Sequence, residues 1–341
     1  MRVKSISLVI PCYNEEDTIS EFYTRAAELA GKIANRSIEF IFVNDGSYDK
    51  TRLILNRMAE QDIRVKVLHL AQNRGHQIAL TAGLDHAAGD MIVTIDADLQ
   101  DPPELIQEML LKIEAGYDIV HAQRRRRNGE TFFKLISARL FYRLMRFVGK
   151  TKIVDNCGDY RAITRPVLDT VIAFRTPHRF LRGIFAQIGF NQCVIPYDRD
   201  PRYAGNTKYP FYKMLGLSID AILGFSSTPI RVITWLSITL WALSLIYLAK
   251  SLFEHFILRI TVPGWTSIIV MQFFSTGLIL FCIAIIGAYI GRIYEQGQQQ
   301  PLYWLCDARN VDLNSNNYRD GRLPELVLSE SILRHTRNEI S

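Results

Sequence analysis

"MIVTIDADLQDPPE", residues 91–104, decides how the chain is read. The apolar run over 91–95 has the length and composition of a buried strand, yet it ends in four acids: Asp96, Asp98, Asp101 and Glu104. Carboxylates this close repel one another and lose hydration when shielded, so a cation or a proton has to sit among them. On an extended strand residues two apart face the same way, which aims Asp96 and Asp98 at one point. Two such oxygen donors suit a hard divalent cation, Mg2+ or Mn2+, that keeps part of its shell for phosphate oxygens. An isolated D-x-D also marks many turns, so its neighbours have to decide.

Four further apolar bursts alternate with helical patterns: "ISLVI" at 6–10, "FIFVN" at 40–44, "VKVLHL" at 65–70 and "YDIVHA" at 117–122. The alternation predicts an α/β fold with a mostly parallel sheet. Ligands of such sheets gather at the carboxyl ends of the strands. The residues that follow the bursts are Pro11, Tyr13, Asn14 and Glu15, then Asp45, then Asn73 and Arg74, then Asp96 and Asp98, and finally the block Arg124 to Arg127. Acids, amides and arginines thus converge without a G-x-G-x-x-G or Walker loop, and the dinucleotide-binding and P-loop readings lose their main support. The arginine block reads either as a solvated loop or as a phosphate contact.

Lys plus Arg number 40 against 34 acids, a formal charge of +6 over 341 residues. The surplus is local, since Lys134, Arg139, Arg143, Arg146, Lys150 and Lys152 follow the arginine block. This suits an anionic surface or a phosphorylated ligand. No helix-turn-helix, zinc-finger or aromatic RNA platform accompanies it, so nucleic acid is not an expected partner. Five cysteines, odd in number and far apart, suggest neither a disulfide framework nor a zinc site. The opening "MRVKSISLVIPCYNEE" has too short an apolar run for a signal peptide, and no export is expected.

Composition changes after residue 228. "VITWLSITLWALSLIYLA" carries no charge over 18 residues, and a helix needs about 20 to cross the hydrocarbon core. A second uncharged stretch runs from 261 to 291. Two spans put both termini on one side, and the basic residues outside the connecting hairpin outweigh Lys250 and Arg259 within it, which orients the N-terminal region to the cytoplasm. The division expected is a cytoplasmic domain over 1–228, a two-helix transmembrane hairpin over 229–295 and a cytoplasmic polar tail over 296–341. Amphipathic interfacial helices are expected at about 131–150 and 207–226, lying on membrane lipids or packing on the domain. Gly277, Gly287 and Gly291 permit close helix approach, which leaves a homo-oligomer open.

Read together, "VIPCYNEE", "VNDGS", "NRGHQIALTAGLDHAAGD" and "DADLQDPPE" resemble the family 2 glycosyltransferases. With "NCGDYRAI" at 156–163, "HRFLRGIFAQIG" at 178–189 and "DRDPRYAGNTKY" at 198–209, the chain resembles the polyprenyl-phosphate glycosyltransferases of the bactoprenol glucosyltransferase type, related to dolichyl-phosphate mannose synthases. The resemblance runs from residue 5 to about 305.

It implies an A-type nucleotide-sugar fold and inverting transfer of one sugar to a lipid phosphate. Pro11, Tyr13, Glu15, Asp45 and Asp96 would hold the nucleotide sugar, with Arg124 on its phosphates. Asp98 would be the direct metal ligand, Asp96 would lie between ribose and metal, and Gln100 would be a further ligand. Asp159 matches the position of the catalytic base. Arg125, Arg179, Arg202 and Lys208 would grip the acceptor phosphate. A phosphate monoester is already largely dianionic at neutral pH, which favours orientation over deprotonation for Asp159. His76 and His178 read as structural.

The function expected is transfer of glucose from UDP-glucose to undecaprenyl phosphate at the cytoplasmic face of the inner membrane. The alternatives are GDP-mannose or another UDP-sugar as donor, and a catalytically inactive membrane-tethered scaffold. A processive synthase is disfavoured by the lack of Q-x-x-R-W.

Overall fold

The structure is a computed structural model that describes residues 2–33, 36–125, 157–177, 179–198, 228–257 and 264–311. The described residues form two compact units: the sheet domain, to which the chain returns at 301, and a helical unit built from 228–257 and 264–300.

The sheet has eight strands in the order β7-β5-β6-β4-β1-β2-β3-β8. β1 (Ser5–Cys12), β2 (Ser37–Asn44), β3 (Val65–Leu70) and β4 (Met91–Thr94) pair in parallel. They read as largely apolar runs because helices cover both faces of the sheet. β1 shows the division. Its Ile6, Leu8 and Ile10 join one core with α1 (Ile19–Lys32), α2 (Thr51–Gln61) and α4 (Ile106–Glu114). Val9, one residue out of phase, faces α3 (His76–His86) on the other side. That approach is close enough that a Cβ on Gly83 would stand 2.3 Å from a Val9 methyl.

From β1 the chain moves outward through β2 and β3, then returns over α3 to place β4 on the opposite side of β1. Between β1 and β4 lies the switch point at which open α/β sheets bind ligands. Pro11 marks its mouth. The Val9 carbonyl accepts from Ile95 N on the β4 side and the Cys12 carbonyl from Asp45 N on the β2 side, so by alternation Pro11 faces β4. Because β4 stops at Thr94, the missing N–H of Pro11 costs no ladder bond.

The sheet is mostly parallel, as expected, and two of its strands run against the rest. β5 (Ile119–Arg124) and β7 (Gln192–Tyr197) are parallel to each other, but β6 (Cys157–Thr164) enters antiparallel between β4 and β5. β8 (Leu305–Arg309) closes the far edge antiparallel to β3. Residues 305–309, placed by sequence in a polar tail, are therefore part of the sheet. Two short helices, α5 (Arg165–Ala173) and α6 (Leu181–Gln187), follow β6.

In the helical unit, α7 (Thr228–Phe256) and α8 (Trp265–Gly297) are helices over the two uncharged stretches. Among the described residues, one stretch, Phe274–Gly297 in α8, is long and apolar enough to cross a membrane, and none of it is buried. The expected interfacial helices, Arg202, Lys208, His178 and the chain from 312 onward lie outside the described residues.

Candidate active site

The loops after β1, β2, β3 and β4 meet at the switch point. Asp45, buried after β2, accepts from Arg74 N at 2.7 Å and Gly75 N at 2.9 Å, clamping the loop that leads into α3. Burial raises its pKa, while these amides and His76 pull it down. Gly46 lets the two loops touch. Its φ is +67°, and a Cβ there would lie 2.7 Å from Asn73 N. Asp45 thus builds the site with both oxygens, beyond the nucleotide contact foreseen for it. Tyr13 meets the exposed Tyr48 edge-on at 6.0 Å, and Glu15 accepts from the Thr18 hydroxyl at 3.0 Å, both beside the mouth marked by Pro11.

The acids after β4 are not on a strand. β4 ends at Thr94, a turn spans 97–99, Leu99 has φ +59°, and Asp98 Oδ1 accepts from Gln100 N at 3.2 Å. The two-apart alignment argument is therefore replaced by a turn that presents both acids at the crevice. Asp96 and Asp98 are half-buried and Gln100 is buried. Among the described residues no three His, Cys, Asp or Glu side chains are arranged to hold a metal alone. The donor set still fits a hard cation that fills its shell from substrate. Burial raises the Asp96 pKa to about 6, and Asp101, Asp98 and Asp159 add to the rise against the opposing His76. Such excess negative charge is what a divalent ion relieves.

Asp159, on β6, is the hub. Arg182 of α6 donates to it twice, Nε to Oδ1 and Nη2 to Oδ2, both at 3.0 Å. Arg161 Nη2 reaches Oδ1 at 3.3 Å and Gln77 Nε2 reaches Oδ2 at 3.1 Å. His76 Nε2 stands 3.3 Å from Asp159 Oδ2 and 3.6 Å from Asp96 Oδ1. Burial works against ionisation of Asp159, but Arg182 and His76 hold its pKa well below the carboxylate range. Burial likewise lowers the His76 pKa, yet Asp96 and Asp159 outweigh it and hold the ring up at about 9. At neutral pH a negative Asp159 is therefore surrounded by a protonated imidazole and two guanidinium groups. The His76 proton and the arginines supply the positive charge that Asp159 requires.

Arg124 is the last residue of β5 rather than a residue beyond it. Its Nε donates to the Tyr197 hydroxyl at 3.1 Å and its Nη2 lies 3.6 Å from Asp101, which also accepts from Tyr197. Gly158 leaves room for that guanidinium, since a Cβ there would stand 3.0 Å from Nη2. Arg125 is exposed and pairs with Asp198 at 3.3 Å.

Arg179, expected on the acceptor phosphate, is instead buried and donates to the Val171 carbonyl at 3.0 Å. It precedes α6, and the residue three further on, Arg182, reaches Asp159 instead. Sequence reasoning set His76 aside and gave no role to Gln77, Arg161 or Arg182. The signal was present for the first two, which follow β3 at the same sheet edge that flagged Asp96.

Residues 7–172 match the family model described as Glycosyl transferase family 2. The chain is 42% identical over 314 residues to the uncharacterized glycosyltransferase YkcC of Bacillus subtilis, covering 92% of this chain and 97% of that one. It is 36% identical over 298 residues to the prophage bactoprenol glucosyl transferase homolog of Escherichia coli, covering 87% and 97%. A solved glucosyl-3-phosphoglycerate synthase from Mycobacterium tuberculosis, in complex with Mn2+, UDP and phosphoglyceric acid, is 21% identical, covers 64% of this chain and 76% of that chain, and has a TM-score of 0.43, too distant to carry any residue across.

Proposed function

This chain belongs to glycosyl transferase family 2, and from that premise we propose that it transfers a single glucose from UDP-glucose to a polyprenyl phosphate, with inversion at the anomeric carbon. The relatives named bactoprenol glucosyl transferase match over nearly their whole length, which supports the lipid acceptor. The observation that carries the reading is the turn bearing Asp96 and Asp98 at the β1–β4 crevice, beside an Asp159 encircled by cations.

The nucleotide lies against the loops after β1 and β2, near Pro11, Tyr13, Glu15 and Asp45. Asp96 and Asp98, with Gln100 as a further ligand, would hold a divalent cation, Mg2+ or Mn2+, which when bound supplies positive charge to the leaving diphosphate. Arg124 shares that charge from the end of β5. A phosphate oxygen of the acceptor attacks the anomeric carbon and forms the new bond. The bond to the diphosphate oxygen breaks, its electron pair leaving with the nucleotide.

No proton has to be removed from an acceptor whose second pKa is near 6. Asp159 therefore acts as an orienting anion. A carboxylate held this strongly by Arg182 and His76 is a poor proton acceptor, and its work is to fix those groups, Arg161 and Gln77 facing the reacting atoms. Arg125, Arg202 and Lys208 serve the acceptor phosphate, and α7 and α8 anchor the enzyme as two membrane spans with the sheet domain in the cytoplasm.

The test offers purified protein a panel of UDP- and GDP-sugars with a polyprenyl phosphate and Mg2+, and identifies the lipid product by mass. A lipid-linked hexose from UDP-glucose is expected. Consumption of GDP-mannose alone overturns the donor assignment, and no glycosylated lipid with any donor overturns the reaction class.

A further inference from the structure

The ten residues 301–310 emerge from α8 and are bound to the sheet domain along their length. β8 adds to β3, and Asn310 Nδ2 donates to the carbonyls of Ala59 at 2.7 Å and Val65 at 2.9 Å, closing the connection between α2 and β3. Tyr303 is buried, and its hydroxyl donates to Asp85 near the end of α3 at 2.9 Å. In the loop before α3, the Trp304 carbonyl accepts from Ala71 N at 2.9 Å, and the centre of its ring lies 4.4 Å from the guanidinium carbon of Arg74. The segment thus touches the last turn of α3 through Asp85 and the loop before α3 through Ala71 and Arg74.

That loop has two walls. One is Asp45, which takes the N–H groups of Arg74 and Gly75, with Gly46 packed on Asn73. The other is Trp304, which holds Ala71 by its main chain and Arg74 by its ring. The next two residues, His76 and Gln77, are the ones that reach Asp159. A shift of the loop moves the start of α3 and with it two of the groups that hold the Asp159 carboxylate.

We propose that Trp304, far beyond the region matched by the family model, is a positioning residue of the active site, acting through Arg74 to fix the first turn of α3. The proposal rests on the glycosyl-transfer reading for its kinetic consequences, but its structural consequence stands apart from that reading. Asp45 still holds the Arg74 and Gly75 main chain from the nucleotide side when Trp304 is lost, so the effect falls mainly on turnover rather than on donor affinity.

The test uses the full-length protein with W304A, W304F, R74A and the double variant W304A/R74A. Turnover and donor KM are measured, together with amide hydrogen exchange over 71–77. Loss of an exposed cation–π contact allows about a two- to fivefold fall in kcat for W304A, with donor KM changed by less than about twofold. W304F should recover most of the loss, the double variant should be no slower than the slower single one, and exchange over 71–77 should rise in W304A and R74A. Additive losses, a W304F as slow as W304A, or unchanged exchange overturns the proposal. If W304A does not fold, R74A, altered at an exposed side chain, and W304F carry the same comparison. A wild-type protein that transfers no sugar refutes the glycosyl-transfer reading, and the exchange data still decide the role of Trp304.

Discussion

Replacing Asp159 by Asn tests the site where it is most tightly built. Four side chains, His76, Gln77, Arg161 and Arg182, converge on this carboxylate. Asn keeps the shape but removes the charge and turns one acceptor into a donor that faces other donors. Arg161 and Asp159 are both nearly inaccessible, with side-chain exposures of 3% and 7%, and removing one member of a buried pair costs about 3–5 kcal/mol. Part of that lowers Tm. About 3 kcal/mol on the barrier slows turnover roughly a hundredfold. The assay is the pH–rate profile of sugar transfer by wild type and variant. Acceptor ionisation gives both proteins an acid limb near pH 6. The alkaline limb should differ, because Asp159 helps hold the proton on His76, and without Asp159 that proton is lost at lower pH. An acid limb that persists in wild type after the acceptor's ionisation is accounted for, and that vanishes in the variant, would refute the reasoning and make Asp159 a base.

Other consequences are equally direct. Gly46→Ala puts a Cβ 2.7 Å from Asn73 N at a φ of +67°, so it should lower stability by about 2 kcal/mol or more and weaken nucleotide binding, read by thermal unfolding and titration with UDP. His69 and His121 are buried, and burial depresses both pKa values to about 4, so the unfolded chain takes up their protons first. Their contribution is complete above pH 6.5 and is lost as pH falls toward 4, at up to about 3 kcal/mol each. Tm should therefore drop steeply between pH 7 and pH 5, and a flat profile contradicts these environments.

The parallel strands were legible because β1, β2, β3 and β4 are covered on both faces and read as largely apolar runs. β6 escaped notice for a physical reason. Its "CGDYRAIT" carries Asp159 and Arg161, buried charges that hydropathy reads as surface but that satisfy one another inside the fold. β7 and β8 are edge strands of mixed polarity, and the pattern of "LCDAR" is indistinguishable from a tail until it meets β3. In the site, the acids after β4 were visible as a cluster, whereas His76 looked solitary because its partners, Asp96 and Asp159, lie 20 and 83 residues away along the chain. That Arg182 rather than Arg179 reaches Asp159 depends on where α6 begins, which the apolar spacing of a seven-residue helix does not fix.

The most direct measurement of the central claim is sugar transfer to polyprenyl phosphate by the D98A and D96A/D98A variants, and by wild type stripped with a chelator and then resupplied with Mg2+. Transfer should vanish in the double variant and in the stripped enzyme, and return to the stripped enzyme with the ion. Undiminished transfer without both acids, or after thorough chelation, would contradict the account.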